Sequence, residues 1–126
     1  MQVSKQGITK QIEKKIFKSL YQVLADIKQP EAVARFFSDI LSSTERMVLA
    51  KRLAIAYYLK RNKSYDVIRN DLKVSSATIA TVQNWIEKGN PGLETALKNI
   101  EADEWAGELA DKISQSVKSW FKTPSR

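Results

Sequence analysis

The feature that most constrains the fold is the long helical periodicity between a few helix-breaking residues. The chain of 126 residues contains only four glycines and three prolines. Between them, apolar residues recur at steps of three and four, which is the spacing of one face of an α-helix. The first such series is Ile8, Ile12, Ile16, Leu20, Val23, Leu24 and Ile27. Since no segment shows the two-residue alternation of a strand, we predict an all-α protein of six or seven helices.

Proline and serine residues predict where the helices begin. Proline suits the first turn of a helix, and a serine hydroxyl can accept a hydrogen bond from a free amide there. Four positions are of this kind: Pro30, Ser42, Ser64 and Ser75. Glu45 follows Ser42 at the spacing of a capping box. The third helix should run to about residue 61, the fourth over 65–72, and the fifth from 76 to about 88.

Apolar residues of the third helix predict which of its sides faces the core. The predicted inward residues are Val48, Leu49, Leu53, Ala56 and Leu59. Beyond a glycine- and proline-containing stop at 89–92, helical periodicity resumes and continues to Phe121. We interpret the apolar stripe of 105–121 as packing within the domain or across a dimer. A helix that binds a partner or a membrane surface is the alternative.

The chain is predicted to have three segments. Residues 1–28 form a basic N-terminal helix or arm, 29–100 the core domain, and 101–126 a C-terminal amphipathic extension. Lysines that accompany the first helix lie on a solvated face or contact phosphates.

Composition excludes most catalytic chemistry. The chain has no histidine and no cysteine, which removes imidazole bases, thiolate nucleophiles and the usual zinc ligands. No paired carboxylates, metal-ligand spacing or glycine-rich phosphate loop stands out. We therefore expect no enzyme, no catalytic residue, no cofactor and no metal. No stretch has the roughly 18 apolar residues of a membrane span, so we expect no membrane insertion and a cytoplasmic location, at the bacterial nucleoid if the chain binds DNA.

Basic charge is concentrated in two places. The formal net charge is +7. Residues 51–88 contain eight Lys/Arg and three Asp/Glu, a net charge of +5, and residues 1–28 have a net charge of +4. Such an excess favours a polyanionic partner, either nucleic acid or an acidic membrane surface.

The segment from Ser64 to Lys88 has the form of a helix-turn-helix. It contains a short capped helix, a turn of three to four residues and a second capped helix that begins with small side chains. Small residues let the backbone approach base edges in the major groove, and nearby cations neutralise phosphates. The candidate DNA-binding residues are Arg69, Lys73, Ser75, Ser76, Ala77, Thr78, Ala80, Thr81, Asn84 and Lys88. An ordinary helix pair with a solvated face is the alternative reading.

Three motifs occur in combination: the capping box at 42–45, Leu49-Ala50-Lys51-Arg52, and Ser75-Ser76-Ala77-Thr78-Ile79. Together they resemble the Trp repressor family, and most closely its Trp-repressor-like subgroup called YerC/YecD-like. The resemblance covers about residues 16–100. It implies an intertwined all-helical homodimer whose recognition helices enter successive major grooves of double-stranded DNA. It also places base-reading positions on Ser76, Ala77 and Ala80, and a DNA-contacting cation on Arg69.

The corepressor pocket of the family does not carry over. In Trp repressor, tryptophan is held by a threonine, two arginines and a serine. The corresponding positions fall on Ser42, Arg52, Thr81 and Trp85. Thr81 has no charge for the ligand carboxylate, and Trp85 would fill the space of the indole. Arg52 is expected to pair with Glu45 or a helix C-terminus. Any effector pocket there should therefore not take L-tryptophan, and the effector is unknown.

The helix-turn-helix and the basic charge predict a sequence-specific DNA-binding transcriptional regulator, and the resemblance implies that it acts as a homodimer and as a repressor. The alternative is a non-catalytic helical interaction module that binds protein or RNA.

Overall fold

The computed structural model describes residues 7–104, and this part of the chain is helical, with six helices and no strand. The first five helices are α1 (Lys10–Asp26), α2 (Pro30–Ile40), α3 (Ser43–Lys60), α4 (Tyr65–Leu72) and α5 (Ser76–Glu87). Helix α6 covers 91–104, to the end of the described range. The prediction of an all-α fold is confirmed. The apolar stripe predicted for 105–121 lies outside the described residues.

The helices begin where proline and serine predicted. Pro30 occupies the first turn of α2. At the start of α3, the Ser42 amide donates to Glu45 Oε1 at 2.8 Å, and the Glu45 amide donates to Ser42 Oγ at 3.1 Å. Both bonds of the capping box therefore form. The bond from the Ser42 backbone, followed by that with its side chain, holds the pKa of Glu45 below its usual range.

The chain divides into two compact units, residues 1–48 and 49–126, and each is described by itself. The described part of the first unit holds α1, α2 and the start of α3. Neither α1 nor α2 has a buried residue. Ile12 and Ile16, on the predicted apolar face of α1, are 51% and 52% exposed. This unit has amphipathic helices with an uncovered apolar side.

The second unit has a core assembled from four helices. Its buried residues are Ile55 and Ala56 of α3, Ile68 of α4, Ile79 and Val82 of α5, and Leu97 of α6, each no more than 2% exposed. Trp85, Leu72 and Val74 are among the half-buried residues that pack against this cluster. Burial of branched aliphatic side chains from all four helices supplies the main favourable free energy of this unit.

The predicted inward side of α3 is partly wrong. Ala56 is buried and Leu59 packs on the core, but Val48, Leu49 and Leu53 are each at least 40% exposed. Ile55, which was not among the predicted residues, is fully buried. The reason is that α3 carries apolar residues on two sides, and α4, α5 and α6 cover only the side that contains Ile55. Periodicity along one helix cannot tell which of two apolar sides a neighbour will cover.

Within residues 7–104, no helix is both long enough and apolar enough to cross a membrane.

Candidate nucleic-acid interface

Helices α4 and α5 form the predicted helix-turn-helix, each with a serine cap. The Val67 amide donates to Ser64 Oγ at 3.2 Å, and the Thr78 amide donates to Ser75 Oγ at 3.1 Å. The turn between them begins at Lys73, whose φ of 54° and ψ of 54° are left-handed. That conformation ends α4 and turns the chain sharply, at a cost of about 1 kcal/mol for a residue with a side chain.

A shared apolar contact holds the two helices together. Ile68 of α4 and Ile79 and Val82 of α5 are all in the buried cluster. Val74 in the turn packs on the same cluster. Val67, another apolar residue of α4, is 40% exposed and does not belong to this cluster. Because three fully buried residues span the pair, the orientation of α5 is determined by packing as well as by its cap.

Arg69 joins the two helices on their solvent side. Its guanidinium donates to the Asp66 carboxylate one turn earlier on α4, and to the hydroxyl of Ser76, the first residue of α5. Asp66 and Arg69 form the one ion pair found among residues 7–104. Asp66 was missed at the sequence level, although an acidic residue three positions before an arginine on a helix is a usable signal.

Lys51 supports the turn from outside the motif. Its ammonium on α3 donates to the main-chain carbonyl of Lys73 at 3.3 Å. This bond satisfies a carbonyl at the C-terminal end of α4, where the helix leaves such groups free and a cation is favoured. Lys51 was not among the candidate residues. The two residues are 22 positions apart, and no local pattern signals such a contact.

Two tyrosines tie α3 to its neighbours. The Tyr58 hydroxyl donates to Asp71 Oδ2 on α4 at 3.0 Å, and the Tyr57 hydroxyl donates to Glu104 on α6. In each case the hydrogen bond, followed by desolvation, raises the pKa of the tyrosine. The Arg61 guanidinium lies 5.8 Å from the centre of the Tyr57 ring, a cation–π distance. These contacts hold α3 against α4 and α6.

The predicted recognition residues are accessible to solvent, while Ile79 and Val82 of α5 are buried. Arg69 is half-buried, and the other nine are exposed: Lys73, Ser75, Ser76, Ala77, Thr78, Ala80, Thr81, Asn84 and Lys88. Three hydroxyls already have partners within α5 or its cap. Ser75 Oγ and Thr78 Oγ1 are 3.0 Å apart, and Thr81 Oγ1 donates to the Ala77 carbonyl at 3.0 Å. The Ser76 hydroxyl, by contrast, has its partner on the other helix, where it accepts from Arg69.

The residues of the predicted effector pocket have other structural roles. Ser42 belongs to the first unit and caps α3. Thr81 bonds to its own helix, and Trp85 packs against the core of the second unit. Arg52 is exposed, and no ion pair between it and Glu45 is found within residues 7–104. Among the described residues, no group of three acidic side chains is placed to hold a metal ion.

Comparisons with known proteins agree on one family. Residues 15–101 match the family described as "Trp repressor protein". The "Uncharacterized protein YerC" of Bacillus subtilis is 32% identical over 85 residues, which are 68% of this chain and 82% of YerC. The structure described as "Crystal structure of a putative Trp repressor from Staphylococcus aureus" has a TM-score of 0.65 and 26% identity. That match covers 74% of this chain and 96% of the other.

Proposed function

The chain belongs to the Trp repressor family, on the branch that includes YerC, and we propose that it is a sequence-specific regulator of transcription that binds double-stranded DNA. The observation that carries the proposal is the rigid pair of α4 and α5, which exposes small and hydroxyl-bearing residues at the start of α5. In this arrangement α5 enters the major groove and α4 lies over the backbone. We assign the protein no catalytic activity.

Base reading falls to Ser76, Ala77 and Ala80. All three are exposed, and Ile79 and Val82 on the other side of the helix are buried. A serine hydroxyl can bond to base edges, and an alanine methyl can pack on the methyl group of thymine.

Phosphate contacts fall to cations in the turn of the motif and at its two ends. Lys73 lies in the turn and Lys88 at the C-terminal end of α5, and both are exposed. Lys60, Arg61 and Lys63 precede α4 and are also exposed. The net charge of +5 over 51–88 supports this placement, because each phosphate neutralised releases a counterion and strengthens binding at low salt.

We further propose that the protein acts as a homodimer and as a repressor. The exposed aliphatic side of α1 supports the dimer, since Ile12, Ile16 and Val23 are each more than 40% exposed. A single chain seldom leaves such a continuous apolar stripe in water. A second copy would cover it and would place two α5 helices for two half-sites.

The proposed regulator does not take L-tryptophan as its corepressor. Thr81 lacks a charge to pair with the amino acid's carboxylate and its hydroxyl already bonds to Ala77, while Trp85 occupies space beside the core. Calorimetric titration of L-tryptophan into the protein should show no binding in the micromolar range. A micromolar affinity in that titration would contradict this part of the proposal.

Two substitutions test the DNA-binding proposal after binding sites have been selected from a random duplex pool. Lys88→Ala should weaken binding to every duplex and lower the slope of log K against log salt concentration by about 0.9. Ser76→Ala should change discrimination at one base pair by about tenfold, the size of a lost base contact.

Mobility shifts at two salt concentrations measure both effects. A regulator keeps its sequence preference as salt rises, whereas a basic interaction module simply dissociates. Wild-type protein that shows no preference in the selected pool, or mutants that bind every duplex like the wild type, would reject the proposal.

A further inference from the structure

The contacts of Arg69 place a carboxylate, a guanidinium and a hydroxyl in series at the proposed DNA surface. Asp66 accepts from Arg69, and Arg69 donates to Ser76 at the start of the recognition helix. Asp66 is the outer member, with a side chain that is 78% exposed, and the Arg69 side chain is 41% exposed. The series is therefore accessible to a DNA phosphate or base.

The direction of the hydrogen bond determines what Ser76 can read. A guanidinium is a donor only, so the Ser76 oxygen must accept from Arg69. The Ser76 proton is then free to point outward, where it can be donated to a hydrogen-bond acceptor. On DNA the acceptors are purine N7, guanine O6, thymine O4 and phosphate oxygens, whereas the amino groups of cytosine and adenine are donors. Ser76 held in this way favours acceptors.

The carboxylate also changes what Arg69 does in a non-specific complex. An arginine at this position would otherwise be free to bind any phosphate, which strengthens binding to all sequences equally. With Asp66 bound to it, Arg69 must give up the carboxylate before it can bind a phosphate. The favourable free energy of that phosphate contact is therefore smaller. Because the pair is exposed, it adds little to the stability of the fold, so its consequence is expected in binding.

We infer that Asp66 is a specificity-determining residue: it holds Arg69 on Ser76, so that Ser76 donates to an acceptor on DNA and Arg69 is withheld from non-specific phosphate contacts. This inference rests on the proposed DNA-binding function. By its charge alone, an acidic residue on this surface would weaken DNA binding. Asp66 nevertheless increases sequence specificity.

The test is Asp66→Asn, which keeps the shape and removes the charge. Affinity for a non-specific duplex should rise, its salt slope should steepen by about 0.9, and the ratio of specific to non-specific affinity should fall about tenfold. Asp71→Asn is the matched control, because Asp71 is on the same helix and bonds to Tyr58 instead of Arg69. It should raise both affinities and leave the ratio unchanged. Circular dichroism melts identify any loss of folding in either variant.

A double substitution tests whether Asp66 acts through Ser76. In a Ser76→Ala background, Asp66→Asn should still raise non-specific affinity, because it frees Arg69, but it should lower the affinity ratio by less than it does with Ser76 present. Two results would overturn the inference: an equal fall of the affinity ratio with and without Ser76, or equal ratios for Asp66→Asn and Asp71→Asn. In either case the proposed function would stand as long as the wild-type protein prefers one DNA sequence. A wild-type protein without sequence preference would overturn both.

Discussion

The two units of the chain differ in how they use apolar residues. In the second unit, four helices bury Ile55, Ile68 and Ile79 completely. In the first unit, α1 and α2 are just as clearly amphipathic but bury no residue. The second unit has a core of its own and displays the proposed DNA surface. The first displays an apolar side that suits a second copy. Amphipathic periodicity therefore predicts a buried face, but not whether the same chain supplies what covers it.

The largest effect should come from truncating the core of the second unit. Ile55→Ala should reduce the free energy of unfolding by about 3 kcal/mol, since it leaves a cavity at a fully buried site. Thermal melts should show a loss of stability whose size does not depend on protein concentration.

Ile16→Ala in α1 is the matched change in the first unit. Its destabilisation should depend on protein concentration, because a contact between copies contributes by mass action. If the loss of stability in Ile16→Ala were independent of protein concentration, Ile16 would not lie in a contact between copies.

An intermediate effect is expected for a charge on the apolar side of α1. Ile16→Asp should weaken self-association about tenfold or more, because a carboxylate must be desolvated where an aliphatic group was. Light scattering over a range of concentrations measures the change. Gln11→Asp adds the same charge at an exposed polar position of the same helix and should leave association nearly unaffected. Equal effects of the two substitutions would argue that this side of α1 is not the dimer contact.

The smallest effect should be an alkaline loss of stability in the second unit. The bond to Asp71 raises the pKa of Tyr58 in the folded state. A raised folded-state pKa means that the stabilisation is present below the ordinary tyrosine pKa of about 10 and is lost as pH rises through the folded value. Chemical denaturation at pH 8 to 11 should show a shallower decline for Tyr58→Phe than for wild type. An unchanged slope would indicate that the bond does not persist in solution.

Local chemistry explains what was predictable. Ser64 and Ser75 each accept a bond from an amide three residues away, so cap and partner are neighbours in the sequence. The same holds for the capping box at Ser42 and Glu45. The pair of Asp66 and Arg69 is equally local, because the two residues are three positions apart on one helix.

Other features depended on distant residues. The bond from Lys51 to the Lys73 carbonyl joins two helices that no periodicity relates. The inward side of α3 was partly wrong at Leu49 and Leu53 because two apolar sides compete on that helix. The position of Arg69 against Ser76 arises only after the chain has turned at Lys73.

The helical class, the helix starts, the charge of the central segment and the family can all be read from the amino-acid sequence. Each depends on residues within a few turns of one another or on matched motifs. Tertiary structure decided which side of α3 is buried, how Lys51 supports the turn, and that Arg69 reaches Ser76. Packing selects among faces that are locally equivalent, since the free energy of burial depends on which helices meet.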